Sequence, residues 1–334
     1  MIQRLFTIQL PFTLTVAMLV SFSLSAVPRY DPSITYQVAL PGDENTPPAS
    51  IREHSIAWHP PLKCYYLIAD VVSLENPHHP NTYETALHLW RSPDLSSWTY
   101  LGVAVPVGKE GRFDAHGASS PAGMVFRSGK LYVAYSGRKT ERFTERGIGL
   151  AWSGSNPDKI PWTTTALAIS DPPGEDDDPG LLSIPGDSQL HCYHRTTGGA
   201  AGYRIVHSTS TTPEDPDSWR KATDVTQRPD GVRAQEMTGV AWLDDRVHLF
   251  VIEQGAGVKG IQIAHLVSDK AEGPFTQFDP ARRYVENQPK NLAYGGHFTP
   301  VVRDDRMVAT FWTMFQEGKR YGLQGHPIVV KPNE

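Results

Sequence analysis

Five short stretches of this chain place acids or histidines at the head of an apolar run. They are REHSIAW at 52–58, DAHGASSPAGMVF at 114–126, DDDPGLLSI at 176–184, QEMTGVAWL at 235–243 and GGHFTPVV at 295–302. With His54, Gly117, Pro179, Glu236 and His297 as markers, the steps are 63, 62, 57 and 61 residues. Regular spacing of this kind brings equivalent positions to one place if each stretch belongs to a repeated unit. The residues brought together would be Glu53, Asp114, Asp178 and Glu236, with His54, His116, His297 and Arg138 beside them. Carboxyl groups held close are suited to general acid–base work, because neighbouring negative charge raises the pKa of one and leaves another ionised.

The elements that would position these residues repeat too. A phrase of Ser or Thr, polar turn residues and an aromatic occurs as RSPDLSSWTYLG, WSGSNPDKIPWTTT, HSTSTTPEDPDSWRKAT and VSDKAEGPFTQF, with Trp98, Trp162, Trp219 and Phe275 spaced by 64, 57 and 56 residues. Ahead of the phrases lie β-type runs, CYYLIADVV, KLYVAYS, QLHCYHR and RVHLFVIEQ, with MVATFWTMF as a fifth. Turn signals such as RSGK, PGDS, LDDR and RDDR precede four of these runs, and helical periodicity is weak throughout. Four short strands per unit, five times over, predicts an all-β, five-bladed β-propeller in which the first strand of each blade lines the axis. Either the Pro327–Lys331 region or the Tyr36–Leu40 region could supply the strand that closes the ring.

Residues 1–26 read as a secretory signal, with Arg4, an apolar stretch and a small-residue cleavage site at Leu24-Ser25-Ala26, so residues 27–334 are expected to form the single propeller domain of a secreted or periplasmic protein. The net charge of −5 and the lack of a Lys/Arg stripe argue against nucleic acid as a partner, and no later segment predicts membrane contact. Cys64 and Cys192 fall two blades apart, too far for a disulfide. Asp176 and Asp177 are expected to be solvated loop charges.

The motifs RSPDLSSWTYLG, SDKAEGPFTQF and DDPGLL, with Glu236, resemble those of the clan of five-bladed glycosidases containing glycoside hydrolase families 32, 43, 62, 68 and 117, over most of residues 50–330. The resemblance implies a secreted hydrolase acting on a polysaccharide or oligosaccharide, with carbohydrate as partner and no required cofactor. It places Asp178 as the carboxylate that orients the acid and tunes its pKa, and Glu236 as the proton donor. The clan has Asp followed by Pro in blade one, where this chain has Glu53-His54. Glu53 is therefore the positional match for the base or nucleophile, and Asp114 the substitute. His297 resembles a histidine lining the axial channel of family 43, next to which Ca²⁺ can sit, and His54, His116 and Arg138 are candidate substrate contacts. The altered blade-one position also allows a non-catalytic carbohydrate-binding propeller, and the scaffold would equally carry transglycosylation or phosphorolysis.

Overall fold

The computed structural model describes residues 27–38, 49–73, 86–140, 145–170, 175–197, 203–220, 223–225, 232–255, 262–278, 297–316 and 320–331. These residues form five antiparallel sheets. Blade one is a four-strand meander, Ala49–His59, Cys64–Ser73, Leu87–Ser92 and Thr99–Val105. Blade two has its inner strand in two pieces, Gly117–Ser119 and Met124–Arg127, interrupted around Pro121, followed by Lys130–Arg138, Arg146–Trp152 and Thr163–Thr164. Blades three and four start from Asp177–Ser183 and Val232–Leu243, and blade five from Phe298–Arg303.

Closure uses both regions named by the sequence. Arg320–Lys331 is the third strand of blade five, and the fourth is supplied by the other end of the chain, Val27–Tyr30 and Tyr36–Gln37, in register Val27↔Lys331 and Tyr36↔Gly325. A sheet of local meanders thus becomes a ring fastened by its first described residues.

Alternation along each second strand explains why the blades stack. In blade one, Tyr66 and Ile68 face blade two and pack with Leu131, Val133 and Tyr135, whereas Tyr65, Leu67 and Ala69 face blade five and pack with Ala309 and Phe311. The same two-residue period builds clusters between blades two and three, three and four, and four and five, so five apolar seams close the circle. Each aromatic of the repeated phrase seals the gap to the preceding blade: Trp162 joins the seam between blades one and two, Trp219 that between two and three, and Phe275 that between three and four. The loops carrying these phrases also latch backwards. Tyr66 donates to Asp158 (2.7 Å), Tyr132 to Glu214 (2.8 Å) and Tyr193 to the Ala271 carbonyl (2.9 Å).

At the axis the inner strands approach closely through glycine. A Cβ on Gly123 would lie 2.8 Å from the Leu181 nitrogen, and one on Gly239 would lie 2.7 Å from the Phe298 carbonyl oxygen. Gly123 and Gly180 form a parallel bridge, so these inner strands run the same way and present their beginnings at one end of the axis. Both cysteines are buried and unpaired, as their separation predicts.

Candidate active site

Three of the inner strands are bulged where they reach that end. The pairing register shifts between Ile51 and His54, between Asp177 and Gly180, and between Met237 and Gly239. A bulge releases residues from the ladder and re-aims their side chains. It frees Glu53 in blade one and Asp178 in blade three, and falls just after Glu236 in blade four. Asp178 (φ 53°) and Ser120 (φ 55°) both adopt the left-handed conformation, which is uncommon for residues other than glycine and concentrates at functional sites.

The result is a cluster drawn from five blades. One ligand atom each from Glu53, Asp178 and His297 lie within 4.8 Å of one another, and all three residues are buried. His297 Nε2 stands 3.4 Å from Glu53 Oε1 and 3.7 Å from Asp178 Oδ1. Ser120 of blade two donates to Glu53 Oε2 at 2.5 Å, and Arg52 lies 3.3 Å from Oε1. Glu236, the most open of the acids with 19% of its side chain exposed, meets Arg195 Nη1 at 3.3 Å. Arg195 Nε also lies 3.3 Å from Asp178 Oδ2. A planar guanidinium bridging these two atoms keeps the Asp178 and Glu236 carboxyls within about 9 Å of each other.

The charges within the cluster are divided. Burial alone would raise the Glu53 carboxyl, but Arg52, His297 and Ser120 hold it far below the usual carboxylate range, so it is ionised. Burial raises Asp178 well above its ordinary value, and Asp177, Glu236 and Glu53 push the same way, outweighing Arg195. Arg195 does not reverse this because Asp177 holds it more closely, at 2.5 Å. Asp178 is therefore the carboxyl that holds its proton beside an ionised Glu53 and Asp177.

Asp176 and Asp177 depart from expectation, being 2% and 3% exposed. Partners remote in the chain explain this, because a buried charge persists only when paired and hydrogen-bonded. Asp177 pairs with Arg146 and Arg195 and accepts from Ser136 at 2.5 Å; Asp176 accepts from Ser170 and lies 3.3 Å from His194 Nε2. Asp177 is accordingly held below the ordinary value, since Arg146 and Arg195 overcome its burial.

The other sequence candidates are placed differently. Asp114 is buried within blade two, accepting from Arg112 (2.9 Å) and Tyr135 (2.8 Å). Its hydrogen-bond partners among the described residues do not include the axial acids, which leaves Glu53 as the blade-one carboxylate of the cluster. His54 is fully enclosed, with Nδ1 3.4 Å from Thr313 Oγ1, and burial and His297 lower it to about 3. It stands behind the cluster and offers no surface to a ligand. His116 is exposed, and its carbonyl accepts from Arg138 Nη2 at 2.9 Å; Arg138 is buried at the end of its strand.

As a metal centre, Glu53, Asp178 and His297 offer two carboxylates and an imidazole. Calcium takes six to eight oxygens, so these donors alone would leave most of its positions to water, and no chemical step is assigned to a cation. A separate cavity of about 270 Å³ opens at the opposite end of the inner strands, lined by Trp58, Phe126, Ser183, Trp242, Pro300 and Arg303. It contains none of the clustered acids.

Arg195, Arg146, Ser120 and Ser136 were not singled out from sequence. A signal did exist for Arg195, a charged residue ending the otherwise strand-like run QLHCYHR.

No family model matches the sequence, and no curated protein matches it. Solved structures do. An endo-arabinase from Bacteroides thetaiotaomicron aligns with a TM-score of 0.62 at 16% identity, covering 84% of this chain and 95% of the other. A family 117 glycoside hydrolase of Zobellia galactanivorans aligns at 0.62 and 14% identity over 92% of each chain. An α-L-arabinofuranosidase of Podospora anserina, in complex with cellotriose, aligns at 0.60 and 11% identity, covering 91% and 97%. At these identities the shared property is the fold, the five-bladed propeller that these glycoside hydrolases have in common.

Proposed function

We propose that this chain is a secreted or periplasmic glycoside hydrolase that cleaves a glycosidic bond in a polysaccharide or oligosaccharide. The observation that carries the reading is the meeting of Glu53, Asp178 and Glu236, from blades one, three and four, around Arg195 and His297. The glycosidic oxygen of an unactivated sugar is a poor leaving group until protonated, while a second carboxylate acts on the anomeric carbon or on a water beside it. Glu236 is assigned as proton donor because it is the acid with exposed side chain. Glu53, kept ionised by Arg52, His297 and Ser120, is assigned as base or nucleophile. Asp178 is assigned the role of orienting the donor, with which it shares the Arg195 guanidinium. The clan likeness of the motifs supports this assignment.

The test is reducing-sugar release by the protein from a panel of polysaccharides and aryl glycosides. Arabinan and aryl arabinofuranosides head the panel, because two of the structural neighbours are described as acting on arabinose-containing bonds. Glu236→Gln and Asp178→Asn are expected to lower kcat by about 10²–10⁴-fold. Undiminished turnover by Glu236→Gln would remove the donor assignment. A second reading, a carbohydrate-binding propeller without turnover, is favoured by one observation: Glu53 is 3% exposed and tied to Ser120 and His297, an arrangement that also suits a static site. Binding without sugar release across the panel would establish it.

A further inference from the structure

We propose that Arg195 is the positioning residue for the proton donor, a fixed fork on blade three that sets the direction of the Glu236 carboxyl across the gap to blade four. The proposal rests on the glycosidase reading and names a residue that the reading does not require. Arg195 lies on the second strand of blade three, Leu190–Thr197, opposite Asp177 in the ladder. Its side chain is 6% exposed. Three contacts hold the guanidinium from its own blade: Nη2 to Asp177 at 2.5 Å, Nη2 to Glu175 at 3.4 Å, and the Tyr203 ring, whose centroid lies 4.3 Å from the guanidinium carbon. Tyr203 is itself tied down, its hydroxyl donating to Glu175 at 3.0 Å. With one edge of the plane fixed in this way, Nε and Nη1 project in set directions, one towards Asp178 and the other to Glu236.

Glu236 depends on this contact more than its neighbours do on theirs. Asp177 has Arg146 and Ser136 besides Arg195, and Glu53 has Ser120, Arg52 and His297. Among the described residues, Arg195 is the hydrogen-bond partner of the Glu236 side chain. A partly exposed glutamate has several rotamers within reach, and a displacement of about 1 Å in a reacting group can cost about 100-fold in rate. Lysine in place of Arg195 would keep the charge but not the fork, since a single ammonium cannot meet Asp177, Asp178 and Glu236 in their separate directions.

The experiment compares two glycosides of the sugar that the wild type cleaves: a dinitrophenyl glycoside, whose leaving group departs without protonation, and a phenyl glycoside, which needs the donor more. If Arg195 aims Glu236, Arg195→Ala and Arg195→Lys lower kcat on the phenyl glycoside by about 10²-fold while changing the dinitrophenyl rate less than about 5-fold, with KM little altered. Glu236→Gln shows the same dependence on leaving group, and the double variant Arg195→Ala/Glu236→Gln is scarcely slower than Glu236→Gln alone. Equal losses on the two glycosides would make Arg195 a structural residue, and a rise confined to KM would make it a binding residue; either overturns the proposal. Arg195→Lys, which retains a buried cation, answers the question if Arg195→Ala does not fold. A wild type that cleaves no glycoside overturns the glycosidase reading itself, and the proposal with it. An active wild type whose Glu236→Gln variant is independent of leaving group removes only the donor assignment and the role of Arg195.

Discussion

Asp177 and Asp178 are adjacent, both buried, and predicted to respond in opposite ways to the same substitution. Asp177→Asn removes the negative charge that holds Arg146, whose side chain is 2% exposed, together with the shortest contact of Arg195. Breaking a buried pair by neutralising one member costs about 3–5 kcal/mol, because the partner is left charged and desolvated. For a chain of this size that is a fall in Tm of about 4–7 °C. Asp178→Asn replaces a carboxyl that already keeps its proton, and asparagine tolerates the left-handed backbone at this position. No comparable loss is expected.

The pH dependence sharpens the contrast. Asp177 is held below its unfolded value near 4, so its contribution is present above that pH and lost as the pH falls through the folded value. The gap between wild type and Asp177→Asn should therefore close in acid. Asp178 is held above its unfolded value, so the folded state retains a proton that the unfolded state releases, and wild-type stability declines as the pH rises from about 4, by at most about 1.4 kcal/mol per unit. Asp178→Asn removes that decline and should gain on the wild type between pH 4 and 7. Urea melts of the three proteins at about pH 2.5, 4, 5.5 and 7 read both trends, the first for Asp177 and the last three for Asp178. A neutral Asp177→Asn, or an Asp178→Asn as damaging as its neighbour, would refute the division of charge described for this cluster.

Two further outcomes concern the scaffold. Burial lowers His207 to about 3 and His248 to about 4, both below the ordinary 6.5, so stability present above pH 6.5 is lost as the pH falls towards those values, at about 1.4 kcal/mol per unit for each. His248→Asn should flatten the decline of Tm between pH 6.5 and 4, and an unchanged slope would show that His248 does not contribute. Gly239→Ala forces a Cβ to within 2.6 Å of Pro300 Cδ and 2.7 Å of the Phe298 carbonyl oxygen, and should cost about 1–3 kcal/mol in denaturant melts. Wild-type stability in that variant would mean that the inner strands can spread.

The ring of blades was legible because its signal is repeated. Trp98, Trp162, Trp219 and Phe275 recur at near-constant intervals, and the strand alternation between them is local. The Pro327–Lys331 and Tyr36 regions were legible as closing candidates, but the pairing of Val27–Tyr30 with Ile328–Lys331 was not, since it joins backbone groups that carry no mark of their partner in side-chain type. The acids at the inner-strand starts could be found for the same reason as the blades. The repeat marks QLHCYHR as a strand, but nothing in that run shows that Arg195 at its end reaches the axial acids. Asp176 and Asp177 were misjudged because a carboxylate becomes buried or exposed according to partners such as Arg146 and His194, which only the folded chain brings near. Asp114 sits beside an inner-strand start, but Arg112 and Tyr135 had already engaged it inside its own blade.

The fastening of the last blade by the first strand has a kinetic meaning. During synthesis, blades one to four consist of neighbours in sequence and can assemble in the order in which they emerge, but Val27–Tyr30 has nothing to pair with until residues up to Lys331 have left the ribosome. Until then an unsatisfied strand edge stays open at each side of the gap, a template for association with other chains. Removing Val27–Gln37 would make that transient hazard permanent, even though those residues lie far from every acid on the axis.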